Sequence, residues 1–377
     1  MARSILQVTL LSKALTVGAY QRKCELMAAH ADIALTVLVP PAWGNSPLAQ
    51  VHQQGYTLRV IPIRLNGNFH LHHYPTLRRE LALSKPDILH IDEEPYNFAT
   101  FLAFRSFHAL QRNRKLAAGQ PEPKTLFFSW QNLARRYPPP FRWMERYVLE
   151  QADAAIVGNT EAQQVWRAKG FSKPIQVIPQ FGVDEMVFAP ADAPRPNAFV
   201  IGYAGRLVGE KRVDLLIEAL TTLPDAQLLI VGDGPQAPAL RAQAQRLGVL
   251  GRIEFRPQVP STHMPAIYHA MNVLVLPSET RPNWKEQFGR VLIEGMACGV
   301  PVVGSNSGEI PQVIGAAGLV FGERDGAALS AALLQLQQSP DQCHDLAQRG
   351  RARVLQHFTM QRIADATVEF YRQLVAA

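Results

Sequence analysis

Two glutamates, Glu286 and Glu294, lie eight residues apart around Phe288-Gly289 and the apolar run that follows. If Glu286 precedes a helix that carries Glu294, their carboxylates stand ~12 Å apart along the axis at about 1.5 Å per residue. That separation suits the two ends of a nucleotide sugar, one carboxylate on sugar hydroxyls and the other on ribose hydroxyls. Between them the helix N-terminus, opened by Gly289, would offer unpaired N–H groups and a positive dipole end to a diphosphate. The same spacing also describes a helix with one solvated Glu at its start and another on an outer face.

Further groups fit the same chemistry. Gly202-Tyr203-Ala204-Gly205-Arg206 closes a strand-like run, and Lys211 follows shortly after. Arg206 and Lys211 beside such a helix end would neutralise charge developing on a leaving diphosphate; taken alone, cations at a helix start are usually solvent-facing. Asp92-Glu93-Glu94 ends the run Asp87–Ile91, on the rim where a parallel sheet holds ligands. These acids either orient or deprotonate acceptor hydroxyls, or cap the helix expected after Pro95, where acids are favoured. No His or Cys stands near them at ligand spacing, and no Asp-x-Asp closes a strand, so no metal is expected. His70, His72 and His73 cluster as a loop on the cleft rim or, alternatively, as a transition-metal site.

The elements that must position these residues alternate. Strands are expected at Ile5–Leu11, Ile33–Val39, Leu58–Ile63, Asp87–Ile91, Thr125–Ser129, Ala154–Val157 and Ile175–Ile178, with helices between, the first near Ala19–Ala29. After the Pro-rich stretch Phe188–Pro196 the pattern restarts at Phe199–Ala204, Gln227–Val231, Arg252–Phe255, Val273–Leu276 and Val302–Val303, and a helical tail breaks near Phe358–Thr359. Many strands are continuously apolar, as in parallel sheets covered on both faces. The fold class is therefore α/β, with two Rossmann-like doubly wound domains facing a cleft. Residues 1–187 form the first domain, 188–359 the second, and the Pro-rich stretch the linker.

Composition narrows the rest. The chain has 377 residues, 47% hydrophobic and 18% charged, which excludes a disordered protein and favours two domains. Cys24, Cys298 and Cys343 form no disulfide framework. No apolar run reaches the ~18 residues of a spanning helix. The N-terminus enters a strand-like run directly, so no signal peptide is expected and a cytoplasmic protein is the reading. Residues 1–187 hold 21 Lys+Arg against 14 Asp+Glu, while 188–377 hold 17 of each. The first half is thus the half suited to an anionic partner, or else simply carries a solvated basic surface.

Jointly, Gly205-Arg206 with Lys211, Val231-Gly232-Asp233-Gly234-Pro235, the Glu286/Glu294 pair with Phe288-Gly289, and Gly295-Met296-Ala297-Cys298-Gly299-Val300-Pro301-Val302 resemble the retaining GT-B glycosyltransferases of family 4 (glycosyl transferases group 1). Val177-Ile178-Pro179 and Gly182-Val183-Asp184 extend the likeness into the end of the first half. The resemblance implies transfer of a hexose from a nucleotide diphosphate sugar to a glycan or lipid-linked acceptor, with retention, and no cofactor or metal. It places Arg206 and Lys211 on the diphosphate with Gly205, Glu294 on the ribose, Glu286 and the Phe288-Gly289 backbone near sugar and phosphate, and Val259 by the base. Glu286, Arg206 and Lys211 are the catalytic candidates. It also implies that helix 360–377 packs back on the first domain. Two other readings use the same residues: a catalytically degenerate binding protein, and a GT-B epimerase or phosphorylase.

The chain departs from the family where many members carry a His after a middle strand. Here Thr125–Ser129 runs into Trp130-Gln131-Asn132, and Gln131 or Asn132 can only hydrogen-bond. The first loop, Ser12–Ala19, lacks Gly-x-Gly-x-x-Gly, which disfavours NAD; Thr16 and Gly18 are read as facing acceptor and donor. Loop Ser278–Lys285, with Trp284 and Lys285, is read as shaping donor or acceptor choice, or as a surface excursion. Asn97–Lys115 and Arg135–Trp143 mix aromatics with cations. They suggest weak peripheral contact with anionic lipid at the inner membrane face, or, for the first, an ordinary crossover helix. No nucleic-acid reader motif is present.

Overall fold

A computed structural model describes residues 5–112, 122–191 and 198–376. The chain divides into two compact units, residues 1–181 with 360–377, and residues 182–359. The division falls between Phe181 and Gly182, ahead of the Pro-rich stretch, of which residues 192–196 lie outside the described residues.

In the first unit seven strands form one parallel sheet: β1 (Leu6–Leu11), β2 (Ile33–Val39), β3 (Thr57–Val60), β4 (Ile88–Ile91), β5 (Lys124–Ser129), β6 (Ala154–Val157) and β7 (Ile175–Val177). Their order is β3-β2-β1-β4-β5-β6-β7. Leu6, Val8 and Leu10 of β1 enter one core cluster and Leu11 the other, so both faces are dry. That is why the strands read as unbroken apolar runs. Helix α1 (Arg22–Ala28) covers one face together with the C-terminal helix Met360–Ala376. The terminal helix is fixed there by Arg372 on Asp32, at 2.7 Å, and by the Tyr371 hydroxyl against His90 Nδ1, at 2.6 Å.

The opposite face carries α2 (Phe98–Gln111), with Phe104 and Phe107 buried on the sheet and Phe98 and Phe101 half-buried. Phe104 and Phe107 pack as in a crossover helix; Arg114 and Lys115 lie outside the described residues. Helices α3 (Phe141–Gln151) and α4 (Thr160–Ala168) follow β5 and β6.

The expected helix Ala19–Ala29 starts late. Two 3-10 turns, Ala14–Thr16 and Gly18–Gln21, precede α1. The Gln21 amide explains the delay: it donates to the carbonyls of Leu15 and Ala49 and accepts from Val51 N–H, tying down the loop that a longer helix would displace.

The second unit holds a six-stranded parallel sheet of β8 (Phe199–Ala204), β9 (Ala226–Val231), β10 (Ile253–Arg256), β11 (Val273–Leu276), β12 (Val302–Ser305) and β13 (Leu319–Phe321), in order β10-β9-β8-β11-β12-β13. Helix α5 (Arg290–Ala297) follows β11, and α6 (Pro340–His357) lies against it. Strand β13 and the one-turn helix Ile310–Ile314 escape the sequence pattern because Pro311, Gly315, Gly318 and Gly322 break their short apolar runs.

Candidate active site

The second unit assembles its candidates at the carboxyl ends of β8 and β11, the edge where parallel α/β sheets bind ligands. The chain leaves β8 through Gly205, at φ +151°, and presents Arg206 exposed, with no hydrogen bond or ion pair on its guanidinium among the described residues. Lys211 sits in the 3-10 turn Gly209–Lys211. Its ammonium meets Glu286 Oε2 at 2.5 Å and lies 5.0 Å from the centre of the Trp284 ring. Ser278 donates to the same Glu286 oxygen at 2.8 Å. Gly289, at φ +82°, is the N-cap of α5. The left-handed backbone there, and the contact a Cβ would make with Leu276 at 2.9 Å, both require glycine. A cavity of about 270 Å³ is lined by Gly205, Arg206, Lys211, Trp284, Glu286 and Gly289, among others. Four cations (Arg206, Lys211, Lys285 and Arg290), one carboxylate and a helix N-terminus thus share one small volume.

Glu294 lies deeper. Its carboxylate accepts from the Tyr268 hydroxyl at 2.6 Å and pairs with Arg290 at 2.9 Å. Burial raises its pKa against the pull of Arg290 and Tyr268. It does not line the cavity, and neither does Phe288, whose ring stands edge-on to Phe358 at 5.7 Å. Val259 is half-buried in the loop after β10, beside Gln258, whose N–H is held by Asp233. Loop 278–285 is firmly built: Glu279 is buried and pairs with Arg212, Arg281 and Arg324, while Thr280 bonds Glu323. That network holds Trp284 against Lys211.

The first unit gathers the acids at the end of β4. None of the three caps α2, whose N-cap Asn97 makes no side-chain cap bond. The capping alternative is therefore replaced: the carboxylates turn inward to donors from other segments. Asp92 accepts from Ser12 at 2.6 Å, and burial raises its pKa. Glu93 accepts from Lys13 at 2.8 Å and Tyr74 at 2.8 Å, and lies 2.6 Å from His72 Nε2. Burial would raise its pKa, yet Lys13 and His72 hold it far below the usual carboxylate range. His72 is fully buried, not on a loop rim, and is the histidine partner that spacing alone did not supply. Among the described residues no group of three His, Cys, Asp or Glu could hold a metal ion.

Glu94 accepts from Ser129 at 2.6 Å and from Trp130 N–H at 2.8 Å, and burial pushes its pKa up to about 7 despite both donors. Gln131 and Asn132 are buried beside it in the same chain segment, Gln131 bonding Leu133 O and Asn132 bonding Glu161. Thr16 is buried on Lys13 O, and Gly18 packs so closely on Val51 that a Cβ would lie 2.4 Å from it.

Two family descriptions match this chain. Residues 189–353 match "Glycosyl transferases group 1", and residues 24–185 match "Glycosyltransferase Family 4". The chain belongs to these glycosyltransferases. Among curated relatives, D-inositol 3-phosphate glycosyltransferase of Mycobacterium marinum is 27% identical over 63% of this chain and 54% of its own length. Alpha-maltose-1-phosphate synthase of Mycolicibacterium smegmatis is 30% identical over 62% of this chain and 66% of its own. The chain thus spans about half the length of the first of these relatives. Sucrose-phosphate synthase from Thermosynechococcus elongatus superposes with TM-score 0.73 at 22% identity, over 98% of this chain and 99% of that one. Anabaena HepE, solved in complex with UDP, gives TM-score 0.73 at 18% identity, over 98% and 100%. These structures share the GT-B fold.

The sequence pattern assigns no role to Lys13, Ser278 or Glu279, and reads His72 only as part of a histidine cluster on a loop or at a metal. Lys13 lay in the first loop without a role; it is buried on Glu93 between the rings of Trp43 and Phe69, at 5.1 and 4.9 Å. A Lys beside the first strand's end was the available signal.

Glu94 yields a pH test. Its folded pKa of about 7 lies above the ordinary 4.5, so the folded chain keeps a proton that the unfolded chain releases between those values. The associated stability is whole below pH 4.5 and is lost as pH rises through 7. Glu94→Gln imitates the protonated acid and does not lose it. The variant should match wild type near pH 4.5 and exceed it above pH 7, by at most ~3 kcal/mol. Denaturant melts of both proteins across that range check this; a pH-independent difference refutes it.

Proposed function

We propose that this chain is a retaining hexosyltransferase that moves a sugar from a nucleotide diphosphate donor to a glycan or lipid-linked acceptor, without a metal, in the cytoplasm. The observation that carries the reading is the convergence of Arg206, Lys211 and Glu286 with the N-terminus of α5 on one cavity. As the anomeric C–O bond breaks, negative charge grows on the diphosphate. Arg206, Lys211 and the backbone amides at the helix start would receive it, which is the role a metal plays elsewhere. Retention is supported by the family likeness: the acceptor oxygen attacks from the leaving-group face, and its proton passes to the departing phosphate oxygen. A uridine donor is the first choice, since HepE was solved with UDP-glucose.

Glu294 supplies the test. It is read as the ribose ligand, and Tyr268 and Arg290 hold it in place. Wild type should gain melting temperature with one of UDP-, GDP- or ADP-glucose, because a ligand that binds only the folded state stabilises it. Glu294→Ala should raise the donor KM by about tenfold to a hundredfold with little change in kcat. No shift with any donor in wild type sinks the reading.

A further inference from the structure

We propose that the groove between α3 and the segment 168–173 of the first unit binds an acidic oligosaccharide. It is a concavity of about 890 Å³, larger than the cavity around Lys211. Six cationic side chains line it against two carboxylates. Both carboxylates are already matched within the groove, Glu145 by Lys169 at 2.6 Å and Glu150 by Arg146 at 2.7 Å. Lys173 is turned to the carbonyls of Glu150 and Ala152. The guanidinium groups of Arg136 and Arg142 remain exposed, with no side-chain hydrogen bond or ion pair among the described residues. The groove is therefore cationic in excess of its own structural needs.

Its walls say which anion. Tyr137 and Trp143 line it, and Trp143 is 66% exposed. Aromatic faces accept the C–H face of a pyranose, while planar guanidinium forks take carboxylates or sulfates two oxygens at a time. Shape separates this from lipid. A bilayer is met by a flat or convex face, whereas a concavity within roughly 300–1,000 Å³ encloses a discrete ligand. Direction links it to the acids: Tyr137 stacks on Tyr96 at 4.2 Å, and Tyr96 is two residues beyond Glu94. On the proposed transfer reading, the groove holds the acidic arm of the acceptor; the binding itself does not depend on that reading.

Calorimetry on the full chain tests this with tetragalacturonate and a heparin tetrasaccharide as acidic probes and maltotetraose as the uncharged control. At least one acidic probe should bind, more weakly at higher salt, and maltotetraose should not. Arg136→Ala/Arg142→Ala removes only exposed side chains and should melt as wild type does, with binding weakened on the order of a hundredfold, tenfold per arginine. The proposal is overturned if neither acidic probe binds, if the double variant keeps wild-type affinity, or if anionic phosphatidylglycerol vesicles bind while both saccharides do not. The melting shift with nucleotide sugars, read on the same samples, should be equal in both proteins. Its absence from wild type would count against the transfer reading and leave the groove standing.

Discussion

Glu286→Gln is expected to lower kcat on the order of 10²–10³-fold. The argument is electrostatic. Before donor binds, Glu286 engages the Lys211 ammonium at 2.5 Å and also accepts from Ser278. On the proposed transfer reading, a diphosphate entering the cavity would draw that ammonium away and leave the Glu286 carboxylate, still held by Ser278, to meet the sugar. In that proposal the carboxylate would aim Lys211 before donor binds and gain a contact with the sugar as the reaction proceeds, so its charge would count most in the transition state. A glutamine keeps the shape and loses the charge, so donor binding should change modestly and turnover greatly. Stability should fall as well, because the Lys211 and Glu286 side chains are only 13% and 10% exposed and the variant leaves the ammonium without its counter-charge. Lys211→Ala should cost turnover to a similar degree, and the double variant should cost much less than the product of the two, as for groups acting together. Steady-state kinetics on the four proteins decide it; wild-type turnover in Glu286→Gln removes Glu286 from the mechanism.

What the sequence made legible followed from short-range rules. Continuous apolar runs marked the central strands, because two covered faces leave no polar positions; β2, β6, β8 and β11 fall where the pattern put them. Gly289 was readable as a helix start because only glycine adopts that backbone cheaply, and Arg206 and Lys211 followed from their distance to a strand end. The acid cluster was visible as three letters and opaque as chemistry. Its partners, Ser12, Lys13, His72, Tyr74 and Ser129, come from three separate segments, and no spacing announces a contact made by sheet order. The capping alternative failed for the same reason, since helix-end preferences count only the local chain, and here distant donors outcompeted the helix start. Glu279 illustrates a further gap: a carboxylate buried under three arginines looks in sequence like any loop glutamate.

Glu93→Ala should be the most destabilising single change in the first unit's acid cluster. Glu93 is buried with a lysine, a histidine and a tyrosine, all directed at its two oxygens. Removing the carboxylate leaves Lys13 without its counter-charge and His72 and Tyr74 without their hydrogen-bond partner in the interior, and breaking a buried pair on one side costs about 3–5 kcal/mol. For a unit of this size that is roughly a 10 °C fall in melting temperature. The effect has a pH signature opposite to that of Glu94. Because Lys13 and His72 hold the folded pKa of Glu93 far below the ordinary 4.5, its contribution is whole above pH 4.5 and fades as pH falls toward the folded value. The gap between wild type and Glu93→Ala should therefore be widest near neutral pH and narrow in acid. The gap between wild type and Glu94→Gln also closes in acid, but there the variant is the more stable protein at neutral pH. Adjacent carboxylates with stability effects of opposite sign would show that neighbouring charges, not chain position, set each acid's state. Equal melting of Glu93→Ala and wild type at pH 7 would remove the buried pair from the account of what holds this unit together.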